Sequence, residues 1–173
     1  MDQHFLVSSF REKLIEHLFV GKLLKTAWQA GDCALEVAKP EVDNRGYDIV
    51  LERHGVMRHV QIKASRRGAR AASQKVHIAL AGKPSGCVVW IQFDEHSLDL
   101  GPFYYFGGEA GTPLPDIMDP KIAKHAKGNA YGLKAERPEI RVVPRSHFLT
   151  VSSFDELVAL LFGTAASPTL KTI

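Results

Sequence analysis

The 173-residue sequence lacks the features that mark secreted, membrane or zinc-binding proteins. It has two cysteines, Cys33 and Cys87, and no Cys-x-x-Cys pair, so a disulfide framework is excluded and a cysteine zinc site is disfavoured. Both cysteines lie in apolar stretches typical of buried free thiols. No apolar run approaches the ~20 residues that cross a bilayer, and the first residues lack the layout of a signal peptide. We therefore expect a cytoplasmic protein that does not associate with membranes.

The sequence also lacks a large excess of either sign of charge, with 22 Lys and Arg residues against 19 Asp and Glu residues. The formal net charge is +3, which permits a polyanionic partner without requiring one. A hydrophobic fraction of 45% with 24% charged residues is typical of a globular protein, and the length suits one domain. We expect a single domain over residues 1–163 and a flexible C-terminal tail over residues 164–173.

A long helix is predicted over residues 9–29. Ser9 and Glu12 have the spacing of a capping box, and Gly31 suits the C-terminal end. The apolar side chains of this segment spread nearly all the way round the helix. We therefore expect it to be packed on more than one side.

Glu16 stands out on this helix because its neighbours one and two turns on are apolar, among them Phe19 and Leu23. An ionised carboxylate in such a setting costs free energy unless a cation or a metal compensates it. The alternative is that Glu16 reaches solvent or pairs with Lys13. Glu16 is therefore a candidate site residue with a purely structural alternative.

A strand over residues 33–39 is followed by a β-hairpin over residues 47–53 and 56–64. Apolar and polar residues alternate on both sides of His54 and Gly55, which predicts a tight two-residue turn there. One face of the hairpin would be apolar and face the core. That face carries Ile49, Leu51, Val60 and Ile62.

The polar face of the hairpin brings three chemical groups together. With the two-residue turn, Arg53 faces Val56, and the same register places Asp48 directly opposite Gln61. Opposed side chains share a face of the sheet, with about 5 Å between their Cβ atoms. The period of two puts Lys63 on that face too. A carboxylate, an amide oxygen and an ammonium group are therefore predicted to converge.

A basic segment follows this cluster directly. Arg66, Arg67, Arg70 and Lys75 are separated mainly by small residues, a pattern suited to binding a phosphate backbone. The alternative is a solvated basic loop. Adjacency to the polar cluster makes these four residues candidates for nucleic-acid binding.

The remaining elements are predicted from periodicity and capping. Ser153 and Glu156 form a second capping box that opens a helix ending at Phe162. Residues 119–127 predict a short basic helix, and residues 76–82 fit either a strand or a short helix. Three further strands are predicted over residues 86–94, 103–106 and 140–143.

A helix with Glu16, a strand that begins at Asp48 and a strand that carries Gln61 and Lys63 together resemble the PD-(D/E)xK nucleases, the restriction-endonuclease-like superfamily. The resemblance covers about half the chain, residues 9–94. It implies an α/β fold with an α-β-β-β-α-β core, in which helices flank a mixed central sheet, and with C-terminal additions here.

Two local patterns sharpen the resemblance. In some members the second strand begins Asp-x-x-Gly-x-Asp, here Asp43, Gly46 and Asp48. The next strand of those members carries Gln-x-Lys followed by a small or hydroxyl residue, here Ala64 and Ser65.

The resemblance implies a Mg²⁺-dependent nuclease acting on DNA, in restriction, repair or defence, with Mn²⁺ as a substitute ion. Asp48 would be the anchoring ligand, with Gln61 Oε1 and the Ile62 carbonyl beside it. Glu16 would contribute directly or through a water. Lys63 would orient or help deprotonate the attacking water, and a homodimer would suit cutting of both strands.

Gln61 departs from the commonest pattern, in which a carboxylate stands at this position. The amide removes one negative charge, so metal affinity falls unless Glu16 or Glu12 compensates. One alternative is therefore a catalytically silent nuclease fold that binds nucleic acid or a protein partner. Another is a plain interaction domain, in which Glu16, Asp48 and Lys63 would not cluster.

Overall fold

The computed structural model describes residues 7–42, 45–125, 127–128 and 132–163, and the strands within these ranges form two sheets. Two α-helices accompany the sheets: α1 spans Ser8–Gln29 and α2 spans Phe154–Phe162. Two short 3-10 helices span Ile78–Gly82 and Arg145–His147. The strands are β1 Glu36–Ala38, β2 Ile49–Arg53, β3 Val56–Arg66, β4 Ser73–His77, β5 Gly86–Phe93, β6 Leu100–Gly107, β7 Ile122–Lys124, β8 Glu136–Pro144 and β9 Leu149–Val151.

The main sheet has six strands in the order β1-β2-β3-β5-β6-β9. Strand β3 runs parallel to β5, and every other neighbouring pair is antiparallel. The second sheet is antiparallel, in the order β4-β8-β7. The mixed α/β fold class with a mixed central sheet is thus confirmed. The connection from β3 to β5 contains β4 and the first 3-10 helix. Residues 76–82, predicted as either a strand or a short helix, therefore form the end of β4 and then this short helix.

The main sheet is buried on both faces. One face packs against both α-helices, through a cluster that includes Ile15, Phe19 and Leu161. The other face packs against the second sheet and the first 3-10 helix, through a cluster that includes Trp90 and Val143. Each large apolar side chain buried in this way contributes roughly 1.5–3 kcal/mol to folding. Strand β5 is buried along its whole length, as expected of a central strand with two covered faces.

The hairpin of β2 and β3 has the predicted register. The pairs run from Arg53 with Val56 at the turn to Ile49 with Val60. The turn residue His54 has φ 52° and Gly55 has φ 82°. Two consecutive positive φ values are typical of a type I′ turn, whose twist matches that of the strands.

The two predicted capping boxes have different outcomes. Helix α1 starts one residue earlier than predicted, at Ser8, and its N-cap Val7 makes no side-chain cap bond. The prediction that Ser9 caps this helix is therefore wrong, because Ser9 already lies inside it. In α2, Ser153 Oγ accepts a hydrogen bond from the Glu156 amide at 3.1 Å, as predicted.

Three other expectations are corrected. Residues 119–127 do not form a basic helix, because β7 lies within them and pairs with β8, with the small side chain of Ala123 buried. Cys87 is buried but Cys33 is exposed. Helix α1 buries one side only and leaves Trp28 exposed.

Some predictions stay untested by the fold. Asp43 and the tail over residues 164–173 lie outside the described residues. The assignment of residues 1–163 to one domain stays a prediction. No helix in the described part of the chain is long and apolar enough to span a bilayer.

A fully buried arginine joins α2 to the main sheet. Arg58, on β3, donates from Nε to the Leu161 carbonyl at 2.6 Å and from Nη2 to the Leu160 carbonyl at 2.8 Å. These carbonyls belong to the last turn of α2, where the helix dipole favours a cation. Burial also raises the pKa of the nearby Cys87 thiol to about 12, so this thiol stays protonated.

An acidic residue ties the end of α1 to the hairpin turn. Asp32 accepts from the Ala34 amide at 3.0 Å and from Arg53 Nε at 2.7 Å, and His54 Nε2 lies 2.9 Å from Asp32 Oδ2. The Ala34 amide, together with Arg53 and His54, lowers the pKa of Asp32 to about 2. The ionised carboxylate therefore stabilises the folded state.

The stability that Asp32 supplies should depend on pH. Its folded pKa is depressed, so its contribution is present above the ordinary pKa of 3.8 and is lost as the pH falls through about 2. Asp32→Asn should lower the free energy of unfolding by about 1 kcal/mol at pH 7 and by less at pH 3. Urea denaturation at the two pH values measures this. An Asp32→Asn penalty that is equal at both would contradict the assignment.

Candidate functional site

The candidate site begins where β2 ends its pairing with β3. The ladder stops at Ile49 and Val60, one step short of the predicted pair of Asp48 with Gln61. The Asp48 amide donates to the Val60 carbonyl at 2.9 Å. Asp48 Oδ2 accepts from the Ile62 amide at 2.5 Å. The carboxylate is thereby fixed to β3 at the residue between Gln61 and Lys63.

The segment that leads into Asp48 packs closely against the end of β4 at Gly46. Gly46 has φ +76°, and a Cβ there would lie 2.6 Å from the Cβ of His77. Only glycine accommodates both the positive φ and this contact at low cost. Gly46 therefore lets the segment before β2 pass against the end of β4.

Gln61 is a buried polar residue of β3. The residue is 8% exposed, and its Oε1 is buried with no hydrogen-bond partner among the described residues. A buried acceptor left unpaired costs about 1–3 kcal/mol. This oxygen is therefore placed to accept a cation or an ordered water.

Lys63 lies two residues further along the strand and is half-buried. The alternation of β3 places it on the same face as Gln61, while Ile62 and Ala64 pack against the helix-side core. In the parallel register Lys63 faces Trp90 of β5. Sequence and structure thus agree on the shared face of Gln61 and Lys63.

Glu16 approaches the same end of the sheet from α1. It is 4% exposed and forms ion pairs with Lys13, at 2.9 Å, and with Lys39. Lys39 follows directly after β1, whose last residue Ala38 pairs with Val50, two residues beyond Asp48. The Glu16 carboxylate is therefore held at the sheet end where β2 begins.

Burial and ion pairing act on Glu16 in opposite directions. Burial alone raises the pKa of its carboxyl group, but hydrogen bonds from Lys39 and Lys13 outweigh it and leave the pKa below the ordinary value. The predicted need for a compensating cation is met by two lysines. The sequence pointed to Lys13 and missed Lys39, whose only signal was its position at the end of a predicted strand.

The four basic residues have different surroundings. Arg66 forms an ion pair with Glu95 at 2.7 Å. Arg67 donates to the carbonyls of Gly101, at 2.7 Å, and Asp99, at 3.1 Å, so it holds the turn between β5 and β6. Arg70 and Lys75 are exposed. The charge of the basic segment is thus partly offset by its own neighbours.

The donor set near Asp48 suits a hard cation. No three His, Cys, Asp or Glu side chains of the described residues cluster at metal-ligand spacing. The Asp48 carboxylate and the unpartnered Gln61 amide oxygen are nevertheless oxygen donors of the kind that Mg²⁺ prefers. Glu16 belongs to α1, which packs on the sheet face opposite that of Gln61 and Lys63, and its carboxylate contacts Lys13 and Lys39.

A larger cleft of about 730 Å³ lies elsewhere. It is lined by residues of β6 and α2, by loop residues such as Glu109, and by His147 of the second 3-10 helix. None of the sequence-predicted site residues lines it. The cleft and the predicted site residues therefore lie in different places, and we base the proposed function on the residues around Asp48, which carry the donor groups for a hard cation.

Comparison with known proteins assigns no family. No family model and no curated protein matches the chain. Among solved structures it is similar to a bacterial homing endonuclease, I-Ssp6803I, with a TM-score of 0.37 and 16% sequence identity. The match covers 73% of this chain and 86% of that chain. A likeness this low carries no argument, so function is inferred from the geometry of the described residues.

The role of Lys39 can be measured directly. In Lys39→Ala the burial of Glu16 remains while its strongest lowering contact is lost, so the pKa of Glu16 should rise. Carboxyl-carbon NMR titration follows this change. Lys25→Ala, an exposed lysine on the same helix, serves as the control. An unchanged Glu16 midpoint in Lys39→Ala would show that the contact does not hold in solution.

Proposed function

We propose that the chain is a Mg²⁺-dependent nuclease that hydrolyses phosphodiester bonds of DNA, in restriction, repair or defence. One observation carries the proposal. The Asp48 carboxylate accepts a hydrogen bond from the amide of Ile62, the residue after Gln61, whose Oε1 is buried and has no partner among the described residues, and Lys63 shares the Gln61 face. Such an arrangement would supply oxygen ligands and an ammonium group for phosphodiester hydrolysis.

The ion would be held by Asp48, Gln61 Oε1 and the Ile62 carbonyl, with Mn²⁺ as a substitute. When bound, Mg²⁺ supplies Lewis-acid stabilisation of charge on the phosphate. The protein fixes the Asp48 oxygen in advance through the Ile62 amide, so little reorganisation is needed on binding.

Lys63 and Glu16 have separate roles in this proposal. The Lys63 ammonium would orient the attacking water and stabilise the negative charge that develops on the phosphate. Glu16 would position a water of the metal, while Lys39 and Lys13 keep its carboxylate ionised. Exposed Arg70 and Lys75 would contact the DNA backbone beside the more constrained Arg66 and Arg67. Two copies would suit cleavage of both strands.

A second candidate function is a nuclease-like fold that binds nucleic acid or a protein partner without cutting. The neutral amide of Gln61 favours it, because one negative charge is missing from the ion site. The two lysines on Glu16 reduce the negative potential further. The two functions differ in whether a divalent ion binds and supports turnover.

Substitution of Asp48 and Lys63 should separate metal binding from catalysis. Asp48→Ala should lose Mg²⁺ binding and Mg²⁺-dependent cleavage. Lys63→Ala should keep the ion but cleave about 100-fold more slowly or worse. Isothermal titration with Mg²⁺ and cleavage of supercoiled and single-stranded DNA measure both. If no divalent ion binds and Lys63→Ala cleaves DNA at the same rate as wild type, the nuclease function is excluded and the binding function is supported.

Restoring a carboxylate at position 61 should strengthen the ion site. Gln61→Glu should tighten Mg²⁺ binding by about tenfold, which corresponds to about 1.4 kcal/mol. Gln92→Glu is the matched control, since Gln92 is also 8% exposed on a neighbouring strand and should leave the affinity unchanged. Equal affinities of wild type and Gln61→Glu would show that Gln61 does not face the ion.

A further inference from the structure

The outer side of α1 carries an apolar stripe at coiled-coil spacing. It consists of Phe10, Leu14, His17, Gly21, Leu24 and Trp28, at intervals of four, three, four, three and four, and His17 is its one polar member. Phe10 is 72% exposed, Trp28 75% and Leu24 46%. This stripe lies opposite the side that buries Ile15 and Phe19 in the core. We refer to these six positions as the outer stripe.

The outer stripe is not needed to hold α1 on the sheet. The helix is already anchored by its other side, including the edge-to-face contact of Phe19 with Phe154 at 6.0 Å. Gly21 lies near the middle of the stripe and costs a helix about 1 kcal/mol relative to alanine. No atom lies within 4 Å of a Cβ placed there. A second helix could therefore approach the backbone closely at this point.

The residues that flank the outer stripe have charge of one sign. In a helix pair, the positions beside the apolar seam set the choice of partner. Arg11, Leu18 and Lys25 lie along one side, and Lys13, Val20 and Ala27 lie along the other. Every charged residue of these six is cationic, and of the three Lys13 is already paired with Glu16. At 100° per residue, the acidic Glu12 and Glu16 lie on the opposite side of the helix.

We propose that the outer stripe of α1 binds an acidic amphipathic helix of another protein, seam to seam, as in a two-stranded coiled coil. Apolar residues of the partner pack on Phe10, Leu24 and Trp28. Its flanking Asp or Glu side chains pair with Arg11 and Lys25. Charge complementarity selects this occupant, because steering and specificity at helix pairs follow the flanking charges.

A second copy of the chain fits the outer stripe poorly. In an antiparallel pair of identical helices, Arg11 of one copy would lie near Lys25 of the other. In a parallel pair, the cationic residues would meet only apolar or cationic neighbours. Neither arrangement offers an attractive charge pair, whereas an acidic partner helix offers one at each cationic flank.

The experiment uses the whole protein and two matched three-heptad peptides. Both peptides carry Leu at the seam; one has Glu and the other Lys at every flanking position, so neither pairs readily with itself. Trp90 is 1% exposed, so a blue shift of tryptophan fluorescence reports burial of Trp28. The acidic peptide should shift the emission and bind at least tenfold more tightly than the basic peptide, by anisotropy of labelled peptide.

Three variants test the surface itself. Leu24→Asp should weaken binding of the acidic peptide at least tenfold. The double change Arg11→Glu with Lys25→Glu should reverse the preference in favour of the basic peptide. Met118→Asp, at an exposed apolar residue outside α1, should change nothing. Circular dichroism verifies that each variant keeps its helix content.

Several outcomes would overturn the proposal. Equal affinities for the two peptides, or no binding of the acidic peptide, would show that the outer stripe does not select an acidic helix. Concentration-dependent dimerisation in analytical ultracentrifugation, abolished by Leu24→Asp, would assign the stripe to a second copy. A Trp28 blue shift on anionic phospholipid vesicles without acidic-peptide binding would assign it to a membrane surface.

Discussion

The parallel pairing of β3 with β5 is the constraint on which the rest of the structure depends. Eight residue pairs join these strands, from His59 with Gly86 to Arg66 with Phe93. A parallel neighbour cannot be reached through a tight turn, so the chain must cross over one face of the sheet. That crossing carries the basic segment, β4 and a 3-10 helix. It therefore covers the face that holds Gln61 and Lys63.

The candidate site has less negative charge than a metal centre built from several carboxylates. The carboxylate of Asp48 contacts the β3 backbone at the residue after Gln61, and the buried carboxylate of Glu16 is paired with two lysines. Lys39 and Lys13 keep Glu16 ionised although it is buried. A bound cation would compete with these ammonium groups, so its affinity depends on residues that are not themselves ligands. Lys39 thereby links the edge strand β1 to the chemistry proposed at Asp48.

Helix α1 has an inner side that packs in the core and an outer side that is exposed. Its inner side contributes Ile15, Phe19 and Leu23 to the core and places Glu16 at the sheet end. Its outer side keeps Trp28 exposed, with cationic residues alongside. Apolar residues lie nearly all the way round this helix. Those on the inner side pack against the sheet, and those on the outer side are available to a partner.

Local patterns determined much of this protein. Alternation fixed the hairpin register, because a tight turn at His54 and Gly55 leaves one pairing that buries Ile49 and Val60 together. Alternation also placed Gln61 and Lys63 on one face. Tertiary structure decided the rest. Strand β7 replaced a predicted helix because β8 pairs with it from far along the chain, and Lys39 reaches Glu16 only because β1 pairs with β2. Such contacts join residues whose separation in sequence carries no periodic signal, so only the folded chain reveals them.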